Sequence, residues 1–334
     1  VELEKIGFYT LTDERALRVA RQGIAAPLWR CELILTGRCN FRCPYCRGVS
    51  GEDIPYHKAA ETVCRWKENG LFAIRFSGGE PMLYPKLLKL VELAKGLGIE
   101  RIALSTNGSF PLQEYEDLVR AGVNDLSISL DACCAEDGDR IAGGVKGSWE
   151  QVVSNIRALA GIVYLTVGVV LTQHNRSQTR GIIALAARLG VSDIRVIPAA
   201  QEGTVLPAPG VGREILGRLP VLAYRLRNIQ QGIPVRGIGP KDCGKCSLVL
   251  DDMAAMGGKH YPCIIYLREG GAAIGEMGTG MREERMQWFE GHNSHKDPIC
   301  FGNCLDVCVA YNNKVERNRA EELAAVEELD GRLQ

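Results

Sequence analysis

Residues 31–46, "CELILTGRCNFRCPYC", run a short apolar stretch straight into a loop with cysteines at positions 39, 43 and 46. The apolar stretch reads as a strand. The loop poses a coordination problem. A structural zinc site takes four protein ligands, and no second ligand pair lies within the next dozen residues. Four-iron clusters are held by one thiolate per iron, so three thiolates on one tight loop leave one iron without a protein ligand. Such an iron is free to bind a substrate or cofactor and pass it an electron. Asn40 and Pro44 shape the turn.

Outward from this loop, residues 31–200 alternate between two patterns. Short apolar runs at 31–36, 72–77, 101–106, 125–131, 164–172 and 193–198 read as strands. Between them, 57–69, 86–98, 113–121, 148–161 and 179–190 have helical spacing and end at or near glycines. Ile, Val and Leu at successive strand positions imply burial on both faces, as in a parallel sheet. Six such steps with right-handed crossovers build a curved parallel sheet, about three-quarters of a barrel. Chemistry in such folds gathers at the carboxyl ends of the strands. There stand "TGRC", "SGGEP" (77–81), "STNG" (105–108) and Asp131.

After residue 198 the alternation stops. Residues 199–212 are rich in Gly and Pro, one helical stretch covers 213–231, and the chain from 240 onward is rich in Gly and Cys. The expected fold is α/β: a partial (β/α)6 TIM-like barrel with a small C-terminal lobe organised by metal rather than by a hydrophobic core. The segments are an N-terminal extension (1–30), the barrel (31–200), a connector with a helix (201–240), the cysteine lobe (241–312) and a charged C-terminal helix (313–334).

Composition narrows the function. Of 334 residues, 46% are hydrophobic and 24% charged, and forty Lys and Arg balance forty Asp and Glu. No basic field argues for nucleic acid. No apolar run reaches the ~20 residues a bilayer needs, and the start is no signal peptide, so a soluble cytoplasmic protein is expected. Thirteen cysteines in two groups point to metal or redox chemistry rather than disulfides. Cys31 and Cys64 read as small buried hydrophobes, and Cys133 and Cys134 as loop residues.

The segment "CNFRCPYC" resembles the signature loop of the radical S-adenosylmethionine (radical SAM) superfamily, down to Tyr45 before the last cysteine. The resemblance covers about residues 28–200. It implies a [4Fe-4S] cluster on Cys39, Cys43 and Cys46 whose open iron chelates SAM, and an electron donor such as flavodoxin or ferredoxin. Cleavage of the sulfonium then gives a 5'-deoxyadenosyl radical that abstracts hydrogen. "FSGGEP" resembles the family's glycine-rich strand end, implying that Ser77, Gly78, Gly79 and Glu80 hold the methionine amino group. "STNG" places Thr106 and Asn107 on the SAM pocket, "SISLD" places Ser129 and Asp131 near the ribose, and "DIRVIP" places the Val196 backbone against adenine.

"CGKC" (243–246), Cys263 and "CFGNCLDVC" (300–308) resemble the twitch or SPASM extensions of that superfamily. The resemblance implies one auxiliary [4Fe-4S] cluster drawn from Cys243, Cys246, Cys263, Cys300, Cys304 and Cys308. Two clusters are the second account, and zinc the alternative metal. Cys263 is expected on a hairpin spanning 260–271. Cys300, Cys304 and Cys308, spaced by four, would line one face of a helix. His292 and His295 read as solvent-facing.

The lead functional reading is oxidation or crosslinking of a peptide or protein side chain. The second is the same radical chemistry on a sugar, nucleoside or cofactor precursor, and the third a non-catalytic electron carrier. The open iron weighs against the carrier. The pterin-forming relatives end in a Gly-Gly tail, whereas this sequence ends "DGRLQ". About thirty residues precede the first strand, so a peptide would need a separate recognition protein or none. Asp131, Glu202 and Asp306 are acid–base candidates.

Overall fold

The computed structural model describes residues 13–202 and 210–333, with side chains through 325. The expected N-terminal extension as far as residue 12, the connector at 203–209 and Gln334 lie outside the described residues.

Six strands form where the apolar runs stand: β1 (Arg30–Ile34), β2 (Ala73–Ser77), β3 (Arg101–Thr106), β4 (Asp125–Ser129), β5 (Tyr164–Leu171) and β6 (Asp193–Pro198). Each pairs in parallel with the next. The five expected helices cover their outer face, at Tyr56–Glu68, Leu87–Gly96, Leu112–Ala121, Ser148–Leu159 and Thr179–Arg188. A sixth, Ala135–Ile141, is added after β4. Alternate strand residues, among them Leu33, Phe76, Leu104, Ile128, Val167 and Val196, pack against the helices in one core with the fully buried Trp66. The intervening residues, including Glu32, Arg75, Ser105, Ser127 and Arg195, face the concave side and line a cavity. Burial on both faces is confirmed at β2, all five residues of which are buried.

The sheet stays open and continues past β1. Strand β7 (Asp252–Met256) runs parallel to β1, and β8 (Lys259–Tyr261) and β9 (Gly275–Glu276) follow antiparallel, giving nine strands in the order β6-β5-β4-β3-β2-β1-β7-β8-β9. Gly257 and Gly258, both at positive φ, make the two-residue turn that the β7–β8 hairpin requires. The hairpin therefore lies earlier than the expected 260–271, and Cys263 falls beyond it, capping the helix Ile264–Arg268.

Three further expectations are revised. The 213–231 stretch is two helices, Arg213–Arg218 and Pro220–Gln230, because Pro220 has no N–H to continue the first and suits the opening turn of the second. The cysteine trio does not share one helix. Cys300 lies in Pro298–Asn303, and the last helix starts at Asp306. Between them the backbone of 301–306 bonds to Val235, Gly237 and Ile238, which pulls the chain out of helical geometry. Finally, the far lobe has an apolar core of its own. Ala16 and Val19 of the helix Asp13–Gln22 pack with Leu248, Val249, Leu250, Tyr311 and Val315. Arg15 anchors this helix, donating Nε and Nη2 to Asp251 at 2.7 and 2.5 Å with both side chains fully buried.

Candidate active site

One cavity of about 510 Å³ opens at the carboxyl ends of β1–β6, and both cysteine groups reach its wall. Cys39, Cys43 and Cys46 come from the loop after β1, and Cys263 and Cys308 from the far lobe.

The three-cysteine loop is fastened at several points. The Cys46 N–H donates to Cys43 O at 3.0 Å, closing the turn around Pro44. Arg42 N donates to Ala142 O at 3.0 Å, Gln201 Nε2 to Tyr45 O at 2.9 Å, and Asn40 Nδ2 to Ser109 Oγ at 2.9 Å. The Tyr45 hydroxyl donates to Asp131, whose other oxygen accepts from Val170 N at 2.5 Å. Behind the loop, Gly79 N donates to Thr36 O at 2.8 Å and Glu80 N to Arg38 O at 2.7 Å. A Cβ at Gly78 would overlap Thr36 O, and one at Gly79 would overlap Arg38 O. The glycine pair is thus needed for the close approach of two backbones, besides any ligand.

The donor set fits a four-iron cluster with one open corner. The Phe41 and Gly48 N–H groups point at the sulfurs of Cys39 and Cys46, at 3.4 and 3.3 Å, where they would stabilise thiolates. Burial pushes the Cys43 thiol up to about 12, and a bound cation would favour its thiolate instead. Among the described residues, the one group of three Cys, His, Asp or Glu donor atoms all within 4.8 Å of each other is His292, Asp297 and Cys300.

Of the residues expected around SAM, Tyr45, Ser77, Gly78, Gly79, Thr106, Asn107, Ser129 and Asp131 lie on the cavity wall. Two do not. The Val196 side chain is fully buried in the helix-facing core while its neighbours Arg195 and Ile197 face the cavity, which leaves its backbone as the part that would meet adenine. Glu80 is fully buried behind the wall. Its carboxylate accepts from Thr106 Oγ1 (2.7 Å), Asn107 N (2.7 Å) and Met82 N (3.1 Å), so it holds the β2 and β3 ends together. Burial raises Glu80 to about 7 and Asp131 to about 6, against the lowering by their donors.

Asp131 is the one acid–base candidate on the cavity wall. Glu202 lines a smaller neighbouring pocket, and Asp306 is paired with Arg225 at 2.9 Å. Cys133 and Cys134 donate to Gln178 and Asp137 and line no part of the cavity, while Cys31 is fully buried.

In the far lobe, Cys246, Cys263, Cys300, Cys304 and Cys308 are close enough to act on one another electrostatically. Cys243 faces the last helix, its sulfur 3.9 Å from Glu316 Oε2. His292, expected in solvent, is half-buried: its ring stacks on Trp288 at 3.9 Å and its Nε2 lies 3.5 Å from Cys300 Sγ. His295 is held by Asp242 O at 2.9 Å. The residues that sequence reasoning missed are cavity arginines, above all Arg75 and Arg195. Their signal was a charged residue at every-second-position register inside an apolar strand.

Residues 33–186 match the family described as the Radical SAM superfamily. A probable GTP 3',8-cyclase of Saccharolobus solfataricus is 28% identical over 183 residues, 53% of this chain and 59% of that protein. The PqqA peptide cyclase of Gluconobacter oxydans is 30% identical over 178 residues, 51% of this chain and 49% of that protein. The matches thus span only about half the length of these curated relatives. Native anSMEcpe with bound AdoMet shares the fold, with a TM-score of 0.56 at 14% identity over 91% of this chain and all of that one. Among the described residues, no helix is long and apolar enough to cross a membrane.

Proposed function

We propose that this chain, whose residues 33–186 match the Radical SAM superfamily, is a radical SAM enzyme that oxidises or crosslinks a peptide side chain. When bound, the cluster and SAM supply a 5'-deoxyadenosyl radical able to take a hydrogen atom from an unactivated carbon. The residues of this chain do the rest. Cys39, Cys43 and Cys46 hold the cluster at the cavity wall, and the bonds from Arg42, Gln201 and Tyr45 keep the loop in place. The backbone at Ser77–Gly79, with Thr106, Asn107, Ser129 and Asp131, forms the surface on which SAM lies. An external flavodoxin or ferredoxin delivers the electron.

The observation that carries this reading is the sharing of one cavity by Cys39, Cys43 and Cys46 with Cys263 and Cys308. We assign the far thiols to one auxiliary four-iron cluster, with ligands drawn from the five that converge. Cys263 and Cys308 would hold such a group at the wall of the same cavity, where it would supply an electron acceptor. The relative named a peptide cyclase supports a peptide substrate. Anaerobically reconstituted, reduced protein is to be incubated with SAM and either short peptides or nucleotides and sugars. A rise in 5'-deoxyadenosine with peptides alone supports the proposal, and a rise with nucleotides alone replaces it by the small-molecule reading that the cyclase relatives favour.

A further inference from the structure

The cavity is far more basic than the chain around it. Across the whole sequence positive and negative residues balance at forty each. The cavity wall carries seven arginines against three carboxylates, Glu32, Asp131 and Asp252. Those carboxylates are already engaged: Asp252 by Arg30, Glu32 by the Ser77 hydroxyl at 2.5 Å, and Asp131 by Tyr45 and Val170. Two more arginines find acids outside the wall, Arg225 with Asp306 and Arg47 with Glu269.

Arg236 and Arg268 are placed differently. Arg236 donates Nε to Pro198 O at 3.0 Å and Nη1 to Asn303 O at 3.4 Å. Arg268 donates Nη2 to Gly78 O at 3.1 Å, next to the expected SAM surface. Each of these acceptors is a backbone carbonyl, which orients a guanidinium without neutralising it. Arg47 is a like-charged neighbour of both. Burial, followed by Arg47 and Arg225, draws Arg236 down to about 10. Gathering like charges in a half-buried cavity is costly unless an anion joins them. Clusters held by the thiols would not account for all of it: Arg30 and Arg47 lie near the thiols of Cys308 and Cys46, whereas the charges acting on Arg236 are the other arginines.

We propose that Arg236 and Arg268 form a substrate-binding site for an oxyanion group, a carboxylate on the peptide, which fixes the substrate against the radical-generating wall. The planar guanidinium fork is matched to carboxylate or phosphate oxygens. The inference rests on the reading of the cavity as the substrate site and deepens it. On a peptide the group is an Asp or Glu side chain or the terminal carboxylate; a phosphate ester offers the same chemistry.

The test is calorimetric binding to reconstituted, SAM-loaded protein of three probes: a glutamate-bearing pentapeptide with amidated C-terminus, its glutamine counterpart, and tripolyphosphate. The glutamate peptide is expected to bind, with affinity reduced about tenfold or more in Arg236→Ala and in Arg268→Gln at unchanged iron content, and partly restored in Arg236→Lys. Higher salt weakens that binding. Binding of tripolyphosphate alone, with the same dependence on both arginines, upholds the oxyanion site and defeats the peptide reading. Equal binding of the glutamate and glutamine peptides, or equal affinity in wild type and in both arginine variants, overturns the inference. Using two independent positions keeps the test decisive should one variant lose its iron.

Discussion

At Glu80 a carboxylate sits where water cannot reach it, with three donors as its compensation. The donors stabilise the ionised form, burial penalises it, and burial wins, raising the group from 4.5 to about 7. A carboxyl whose folded pKa lies above its unfolded value stabilises the fold at low pH, and that contribution is lost as pH rises through the folded value. In SAM-free protein, wild type relative to Glu80→Gln should lose on the order of 3 kcal/mol of stability between pH 4.5 and pH 7 or above. Chemical denaturation across that range reads it, and parallel pH profiles for the two proteins would refute the assignment. The family resemblance implies that Glu80 helps hold the SAM amino group, and in the fold its carboxylate bonds the ends of two strands. Nothing in "SGGEP" distinguishes those roles, because both need an acid next to a backbone turn.

The elements show which parts of the sequence were readable. The six barrel strands and five of their helices stand within a few residues of where apolar periodicity puts them, because each buries its own pattern locally. The far lobe was harder. Its strands are only two to five residues long, and β7 gains its place by pairing with β1, more than two hundred residues away. No local pattern encodes that partner. The helix expected to carry Cys300, Cys304 and Cys308 fails for the same reason, since distant backbone at 235–238 claims its middle. The glycine pair after β2 gives a prediction at this scale. In Gly79→Ala the new methyl meets Arg38 O, which displaces the three-cysteine loop from β2. Iron content is expected to fall to the share held by the far lobe, with SAM-dependent spectral change lost. Full iron content in this variant would contradict the packing described.

Over the whole molecule, the two cysteine groups are brought to one cavity by a sheet that continues from the barrel into the far lobe. The first described helix and the last one clamp that continuation. Their junction is the buried pair of Arg15 and Asp251, with Tyr311 4.5 Å from the guanidinium. Removing Arg15 takes the two-pronged cation from buried Asp251 and leaves it only Arg18, at 3.9 Å. Arg15→Ala should therefore cost about 3–5 kcal/mol, read as a lower denaturant midpoint. A shift below ~1 kcal/mol would show that the clamp contributes little. The concave face also explains why the polar half of the site escaped sequence reading. Arg75 and Arg195 lie in strands whose apolar residues dominate the pattern, and only the curvature of the open sheet turns them toward a common space.

The account stands on Cys39, Cys43 and Cys46 holding a four-iron cluster with one iron open to SAM. Electron paramagnetic resonance of the reduced, oxygen-free protein, recorded with and without SAM in a variant lacking the far thiols (Cys246, Cys263, Cys300, Cys304 and Cys308 to Ala), isolates that cluster. The account predicts a four-iron signal whose g values shift when SAM is added. A signal that SAM leaves unchanged would contradict it.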